Sequence, residues 1–343
     1  MRTLLTFDYE LFFGPRTGSV ARTLIEPTQA LAALAARYGA RLVFFVDAGH
    51  LLRLRAEMDA VPQLRADHDL ICRQLERLVR AGHELELHVH PHWEDARWRD
   101  GRWRLEGTRY ALHAFAPEEI ADIVRRYAAL VREFGGPRAA RAYRAGGWVI
   151  QPFAALRAPL LQAGVCIDST VYAGGRSQSA IQPYDFRGAP RKSRWRFDAD
   201  PLVEDPAGPF LEVPIASRRL APWFFWRFAA MKKLGGAHHR AFGDGCAIPM
   251  SRADLLRRLV APSASVVSMD GYKASFLAQA AREYRARGME EFVAIGHPKA
   301  LTPYALTQLE RHLAAHAPEV VTFSCYEPCD AQTLPSPGRR RAA

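Results

Sequence analysis

Short apolar runs with strand-like spacing recur along the chain, separated by segments whose apolar residues fall three and four apart. The runs RTLLTF (2–7), RLVFFV (41–46), ELELHV (84–89), RAYRA (141–145), GVCIDS (164–169), FLEVPI (210–215), SVVSM (265–269), FVAIG (292–296) and VVTF (320–323) read as strands. The clearest helix is PEEIADIVRRYAALVREFGG, where Ile120, Ile123, Val124, Tyr127, Leu130, Val131 and Phe134 make one apolar stripe. Pro117 and two glutamates open it, and Gly135-Gly136 closes it. PTQALAALAARYG and TPYALTQLERHLAAHA have the same form, the latter with Thr302 as N-cap before Pro303. Regular alternation of strand and helix predicts right-handed crossovers and a mostly parallel sheet, open or closed into a barrel. Two stretches break the rhythm, 173–209 and 217–250, and read as insertions in a single domain over 1–330. Residues 331–343, ending in GRRRAA, read as a disordered basic tail.

Composition narrows the picture. With 343 residues and 49% hydrophobic content, the chain can bury one large α/β core. The excess of 47 Lys and Arg over 36 Asp and Glu, net +11, favours an anionic partner. No nucleic-acid-binding motif accompanies that charge, and nucleic acid is not expected as a partner. The five cysteines are scattered, and only Cys325 and Cys329 lie close, at a spacing that suits neither a redox pair nor a zinc knuckle. Reduced thiols in a cytoplasmic protein are therefore expected, and MRTLLTFDYE carries no apolar core of signal-peptide length.

The stretch 217–242 contains Arg218, Arg219, Arg227, Lys232, Lys233 and Arg240 and no acid. Two readings stand for it. One is an interfacial helix that sets Trp223, Phe224, Phe225, Trp226 and Phe228 against an anionic inner-membrane surface, making the protein peripheral there. The other is a buried lid helix over the barrel mouth.

In parallel α/β folds chemistry collects at the carboxyl ends of the strands. The polar residues there are Asp8 and Glu10, Asp47, His88 with His90 and His92, Arg144, Asp168 and His297. Carboxylates, imidazoles and a guanidinium from distant parts of the chain thus face one cleft, the composition of a hydrolytic metal site. Asp47 reads more simply as a loop-capping aspartate.

TFDYE resembles the opening Thr-Phe-Asp-Asp-Gly motif of the polysaccharide deacetylases, the NodB-homology fold of carbohydrate esterase family four. GHELELHVHPH is similar to their second motif, YRAGGW to the arginine motif and IGHP to the last histidine motif, in the same order over about residues 1–325. The resemblance implies a distorted, incomplete (β/α) barrel and removal of an N- or O-acetyl group from a sugar with the help of one divalent ion, zinc being expected. It implies Asp8 as general base, Arg144 as its orienting partner, His297 as general acid and Asp168 as the carboxylate behind that histidine.

Tyr9 stands where the family has its second carboxylate, and Glu10, one position on, is assigned to the metal; the alternative is that Glu10 pairs with an arginine. His88 and His92 match the family's metal pair if the chain curls into a helical turn. Pro91 biases His90 toward extended backbone, which would instead put His88 and His90 on one strand face. Trp93, Trp98 and Trp103 are candidate platforms for sugar rings, the last two across an Asp-Gly hairpin turn, with loop packing as the alternative.

The leading expectation is a carbohydrate deacetylase of surface-polysaccharide biosynthesis, lipopolysaccharide O-antigen included, acting on a nucleotide- or polyprenyl-phosphate-linked sugar. The replaced carboxylate raises a metal-independent amidase or imide hydrolase on the same fold as the second reading. A catalytically silent membrane- or anion-binding protein is the third.

Overall fold

A computed structural model describes residues 1–249 and 252–327. The expected tail and Cys329 lie outside the described residues.

Eight strands form one sheet: β1 Arg2–Tyr9, β2 Val43–Asp47, β3 Glu84–Val89, β4 Ala142–Ala145, β5 Ile167–Asp168, β6 Trp195–Phe197, β7 Phe210–Glu212 and β8 Glu291–Gly296. Their spatial order is β6-β7-β5-β4-β3-β2-β1-β8. Every pair is parallel except β6 with β7. Past β7 the chain crosses to the far edge, where Ile215 bridges Val293 and Ser268 bridges Ile295. The sheet therefore curls into a ring that single bridges, rather than a ladder, draw together. This is the distorted, incomplete barrel that the strand-helix rhythm and the motif resemblance predict.

Helices α1 Glu26–Arg37, α2 Ala48–Glu57, α3 Pro62–Arg80, α4 Pro117–Gly135, α5 Ala154–Gln162, α6 Pro222–Leu234, α7 Arg252–Val260, α8 Leu277–Ala286 and α9 Pro303–His316 complete the fold. β2 and β8 are buried along their whole length, which is why they read as continuous apolar runs. Alternation divides each strand between two cores. Leu5, Phe7, Phe44 and Leu87 belong to the main core, while Leu4, Val43, Phe45, Ala142 and Val293 form a separate cluster on the other face. α4 buries six of the expected stripe residues, and Gly136, at φ 77°, ends it in the left-handed region that a Cβ disfavours. Thr302 Oγ1 accepts the Ala305 N–H at 3.0 Å and caps α9 as expected.

Some expectations change. VVTF is not a strand: Val320 makes one bridge to Thr3, and Phe323 meets the Phe45 ring at 5.7 Å. Ser263–Val266 pairs antiparallel with Ser217–Leu220, so the second insertion is a hairpin that encloses α6 and α7. Hydrogen bonding between strands far apart in sequence decides this, and local periodicity does not encode it. Within 173–209, Arg176–Gln178 pairs with Pro183–Asp185, and β6 then joins the sheet edge. Cys166 is disulfide-bonded, against the expectation of reduced thiols, while Cys72, Cys246 and Cys325 are free. No helix among the described residues is long and apolar enough to cross a membrane.

Candidate metal and acid–base site

β1 carries Asp8 near its end, with Glu10 one step beyond. Residues two apart share a strand face, so Asp8 and Glu10 converge while Tyr9 turns to the helix layer and donates its hydroxyl to Gln74 at 2.8 Å. Both carboxylates are buried.

Arg144 on β4 is fully buried and spends its donors on this strand end. Nη1 donates to Asp8 Oδ1 at 2.7 Å and Thr6 Oγ1 at 3.0 Å, while Nε donates to the Ser169 carbonyl at 2.8 Å. Its guanidinium also lies 4.1 Å from the Phe45 ring centroid. Asp8 is thereby fixed through Oδ1, and Oδ2 is left 3.6 Å from His297 Nε2 and 3.9 Å from His88 Nε2.

β3 places the imidazoles. His88 pairs laterally with Asp47 and Arg144 in the sheet register, and its Nδ1 donates to the Arg144 carbonyl at 2.8 Å. That bond fixes the tautomer and turns Nε2 toward Glu10 Oε2 at 3.3 Å. His90 keeps extended backbone, φ −113° and ψ 89°, so it shares a face with His88, and its Nε2 contacts the same Glu10 oxygen. Its Nδ1 is buried without a hydrogen-bond partner.

The curl begins only at Pro91, in a short 3-10 turn over Pro91–Glu94. His88 and His90 thus share a face, the alternative that Pro91 raised, and His92 lies within the turn. His92 instead stacks on Tyr110 with centroids 5.5 Å apart and planes at 7°, and burial followed by the charge of His90 pushes its pKa well down.

His297 follows β8. Its Nδ1 lies 2.8 Å from Asp270 Oδ2, and its backbone N–H donates to Asp270 Oδ1 at 2.7 Å. Burial acts to lower its pKa, but Asp270, Asp8 and Glu10 outweigh burial and raise it. The carboxylate behind the histidine is therefore Asp270, not the expected Asp168. Asp168 accepts from the Thr170 backbone N–H at 3.0 Å and hydroxyl at 2.7 Å, and stands beside Glu212 of β7.

Sequence reasoning also missed Lys299. Its ammonium donates to Glu10 Oε1 at 2.9 Å and the Leu11 carbonyl at 2.7 Å, so the cation on Glu10 is a lysine rather than an arginine. Burial opposes ionisation of Glu10, yet Lys299 and then His90 and His88 hold its pKa well below the usual range. Asp270 had a readable signal, since it directly follows the SVVSM run. Lys299, two residues past His297 in a 3-10 turn, had none.

The donor set suits a divalent cation. Glu10, His88 and His90 bring one carboxylate oxygen and two imidazole nitrogens within 4.8 Å of one another, and Asp8, Glu10 and His297 form an overlapping group. Two imidazoles and one carboxylate, with a backbone carbonyl orienting one ring, make a three-donor set of the kind a divalent metal takes. His90 Nε2, set against the Glu10 oxygen, is the nitrogen that such an ion would take up. His88 has a raised pKa, since Asp8 and Glu10 outweigh its burial, so binding an ion there would release a proton.

Of the two readings of the tryptophans, Trp93 and Trp103 take the packing one. Trp93 and Trp103 are buried and meet edge-to-face at 5.4 Å, and Trp93 Nε1 donates to Asp47 Oδ2 at 2.7 Å. Asp47 thus anchors that indole, and burial, which outweighs the opposing charges of His90 and His88, lifts its carboxyl to about 6. Trp98 pairs with Trp103 across the expected hairpin of Arg97–Arg99 and Arg102–Arg104 and is only partly covered. Asp100 and Gly101 take the positive φ values, 52° and 71°, of a tight hairpin turn.

No family model matches the chain, and no curated protein does. Among solved structures it is similar to one described as a polysaccharide deacetylase from Mycobacterium smegmatis, with 14% identity, a TM-score of 0.48, and 98% of this chain and 94% of that chain covered. Puue allantoinase aligns at 13% identity and TM-score 0.44, covering 93% of this chain and 85% of that one. A family 4 acetyl xylan esterase from Clostridium thermocellum, in complex with a cobalt ion, aligns at 16% identity and TM-score 0.23 over 41% of this chain and 47% of that one.

Proposed function

We propose that this protein is a metal-dependent hydrolase that removes an acetyl group from an amino sugar, with a nucleotide- or polyprenyl-phosphate-linked precursor of a surface polysaccharide as its substrate. The observation that carries the reading is the convergence, on one cluster, of the Arg144-held carboxylate of Asp8, the Glu10-His88-His90 donor set and the His297-Asp270 pair.

Glu10, His88 and His90 would hold the ion, with zinc the best match to two imidazoles and a carboxylate. A bound divalent ion polarises a carbonyl and lowers the pKa of water. Arg144 fixes Asp8 through one oxygen, so the other is free to take a proton from attacking water. His297 donates Nδ1–H to Asp270, and a proton on Nε2 then points at the centre of the cluster, where a departing amine needs it. Base and acid must hold opposite protonation states, and Asp270 favours the protonated form of the acid.

A metal-independent amidase or imide hydrolase has one observation of its own. Lys299 gives Glu10 a permanent cation, which would balance its charge with no ion present. Acetate release from an acetamido sugar, followed before chelation, after chelation and after zinc is restored, separates the readings. Loss and recovery support the metal enzyme, and undiminished turnover in chelator supports the second reading.

A further inference from the structure

Among the described residues, eight large hydrophobic side chains are exposed, and seven fall between 223 and 260. Trp223 and Trp226 are each 59% exposed and Leu234 77% on α6; Leu255 is 49%, Leu256 61% and Val260 73% exposed on α7. The two helices are bound together, with Trp226 Nε1 donating to the Leu259 carbonyl at 3.1 Å and Arg258 lying 5.8 Å from the Phe225 ring centroid. α6 has a separate inward face: Phe224 stacks on Tyr272 at 5.7 Å and meets Phe276 at 5.2 Å. The turn that carries Tyr272 begins directly after Asp270, the partner of His297. The lid reading thus accounts for Phe224 and Phe225, while the tryptophans are left outside.

Charge identifies what would cover that outer face. Residues 217–260 contain nine Lys and Arg against two Asp, a large share of the chain's net +11. Arg227, Lys232, Lys233 and Arg257 are exposed beside the apolar residues, and Arg227 lies 5.5 Å from the Trp223 ring centroid. A dry protein interface depletes lysine and favours an apolar centre. Indoles with long cationic side chains around them suit the boundary of a bilayer, where rings lie at headgroup depth and ammonium groups reach anionic phosphates. We infer that α6 and α7 together form a docking face for an anionic lipid bilayer, placed on the element that borders the Asp270-His297 pair. The inference is independent of the reaction proposed above.

The test is flotation of the full chain with vesicles of phosphatidylcholine alone or of phosphatidylcholine mixed equally with phosphatidylglycerol, with thermal melts and light scattering on every sample. The parent should float with the mixed vesicles only, and the indole emission should shift to the blue. Lys232→Ala with Lys233→Ala should weaken binding about 25-fold, near fivefold for each cation. Trp223→Ser alone should reduce the blue shift with the melt unchanged, and Trp223→Ser with Trp226→Ser should abolish it at some cost in Tm, since Trp226 also bonds Leu259, while Val203→Ser, exposed but outside the patch, should bind as the parent does. Absence of parent binding to mixed vesicles, or patch variants that float like the parent, would overturn the inference. So would a parent dimer that the tryptophan variants dissolve without loss of lipid binding, since that would assign the face to a second copy.

Discussion

Asp270 grips His297 twice, with Oδ2 2.8 Å from the ring Nδ1 and Oδ1 accepting the same residue's backbone N–H at 2.7 Å. The pair fixes both the orientation of the ring and the nitrogen left to face Asp8 and Glu10. A raised pKa keeps the acid loaded until pH climbs through that value, so His297 should set the alkaline limb of activity. Asp270→Asn should move that limb to lower pH and reduce kcat on an acetamido sugar, while Asp168→Asn should leave the limb in place. Equal movement in both variants would return the role to Asp168.

The metal pairing gives a second expected outcome. His90→Ala should lose stoichiometric zinc by elemental analysis, as should His88→Ala and Glu10→Gln, because each removes a donor from the same cluster. His92→Ala should keep it, since that ring stacks on Tyr110 outside the donor set. Zinc retained in His90→Ala and lost in His92→Ala would restore the helical-turn pairing.

Gly146 offers a test that substitutes none of the donors. A Cβ there would lie 2.5 Å from His90 Nδ1 and 2.7 Å from the Val89 carbonyl oxygen, so the imidazole must move. Gly146→Ala should weaken zinc binding about 10–100-fold, as displacement of supporting groups does, with the fold intact by circular dichroism.

Asp168 and Glu212 sit side by side on β5 and β7, both buried. Burial raises both pKa values, and the charge of Asp168 pushes Glu212 further, well above the usual carboxylate range. A carboxyl whose folded pKa is raised costs stability increasingly as pH rises above its unfolded value. Glu212→Gln should therefore raise Tm at pH 8 by about 2–4 °C per kcal/mol relieved and have little effect at pH 4. A lower Tm at both pH values would show the pair to be stabilising.

The strand ends were legible because period-two alternation is local: it puts Asp8 with Glu10 and Tyr9 opposite them without any tertiary knowledge. The choice between His90 and His92 turned on where β3 stops, a boundary set by Pro91 that spacing alone leaves open. Asp270 ends a run that was readable, but its place beside His297 depends on the isolated Ser268–Ile295 bridge, and Lys299 reaches Glu10 from a 3-10 turn after β8 whose direction spacing does not give. Trp93 and Trp103 look like ligand platforms in sequence, but the same area that would stack on a sugar also drives an indole into the core, and packing against α2 won.

The measurement that tests the account most directly is zinc content and acetate release determined on the same preparations of the parent and Asp8→Asn. Asp8 touches Arg144 and faces His297 but is not one of the three proposed ligands Glu10, His88 and His90. One zinc per chain in both proteins, with turnover of an acetamido sugar lost by about 10²–10⁴-fold in Asp8→Asn, is the predicted result. Full parental turnover with no zinc bound, or an Asp8→Asn variant that turns over like the parent, would contradict it.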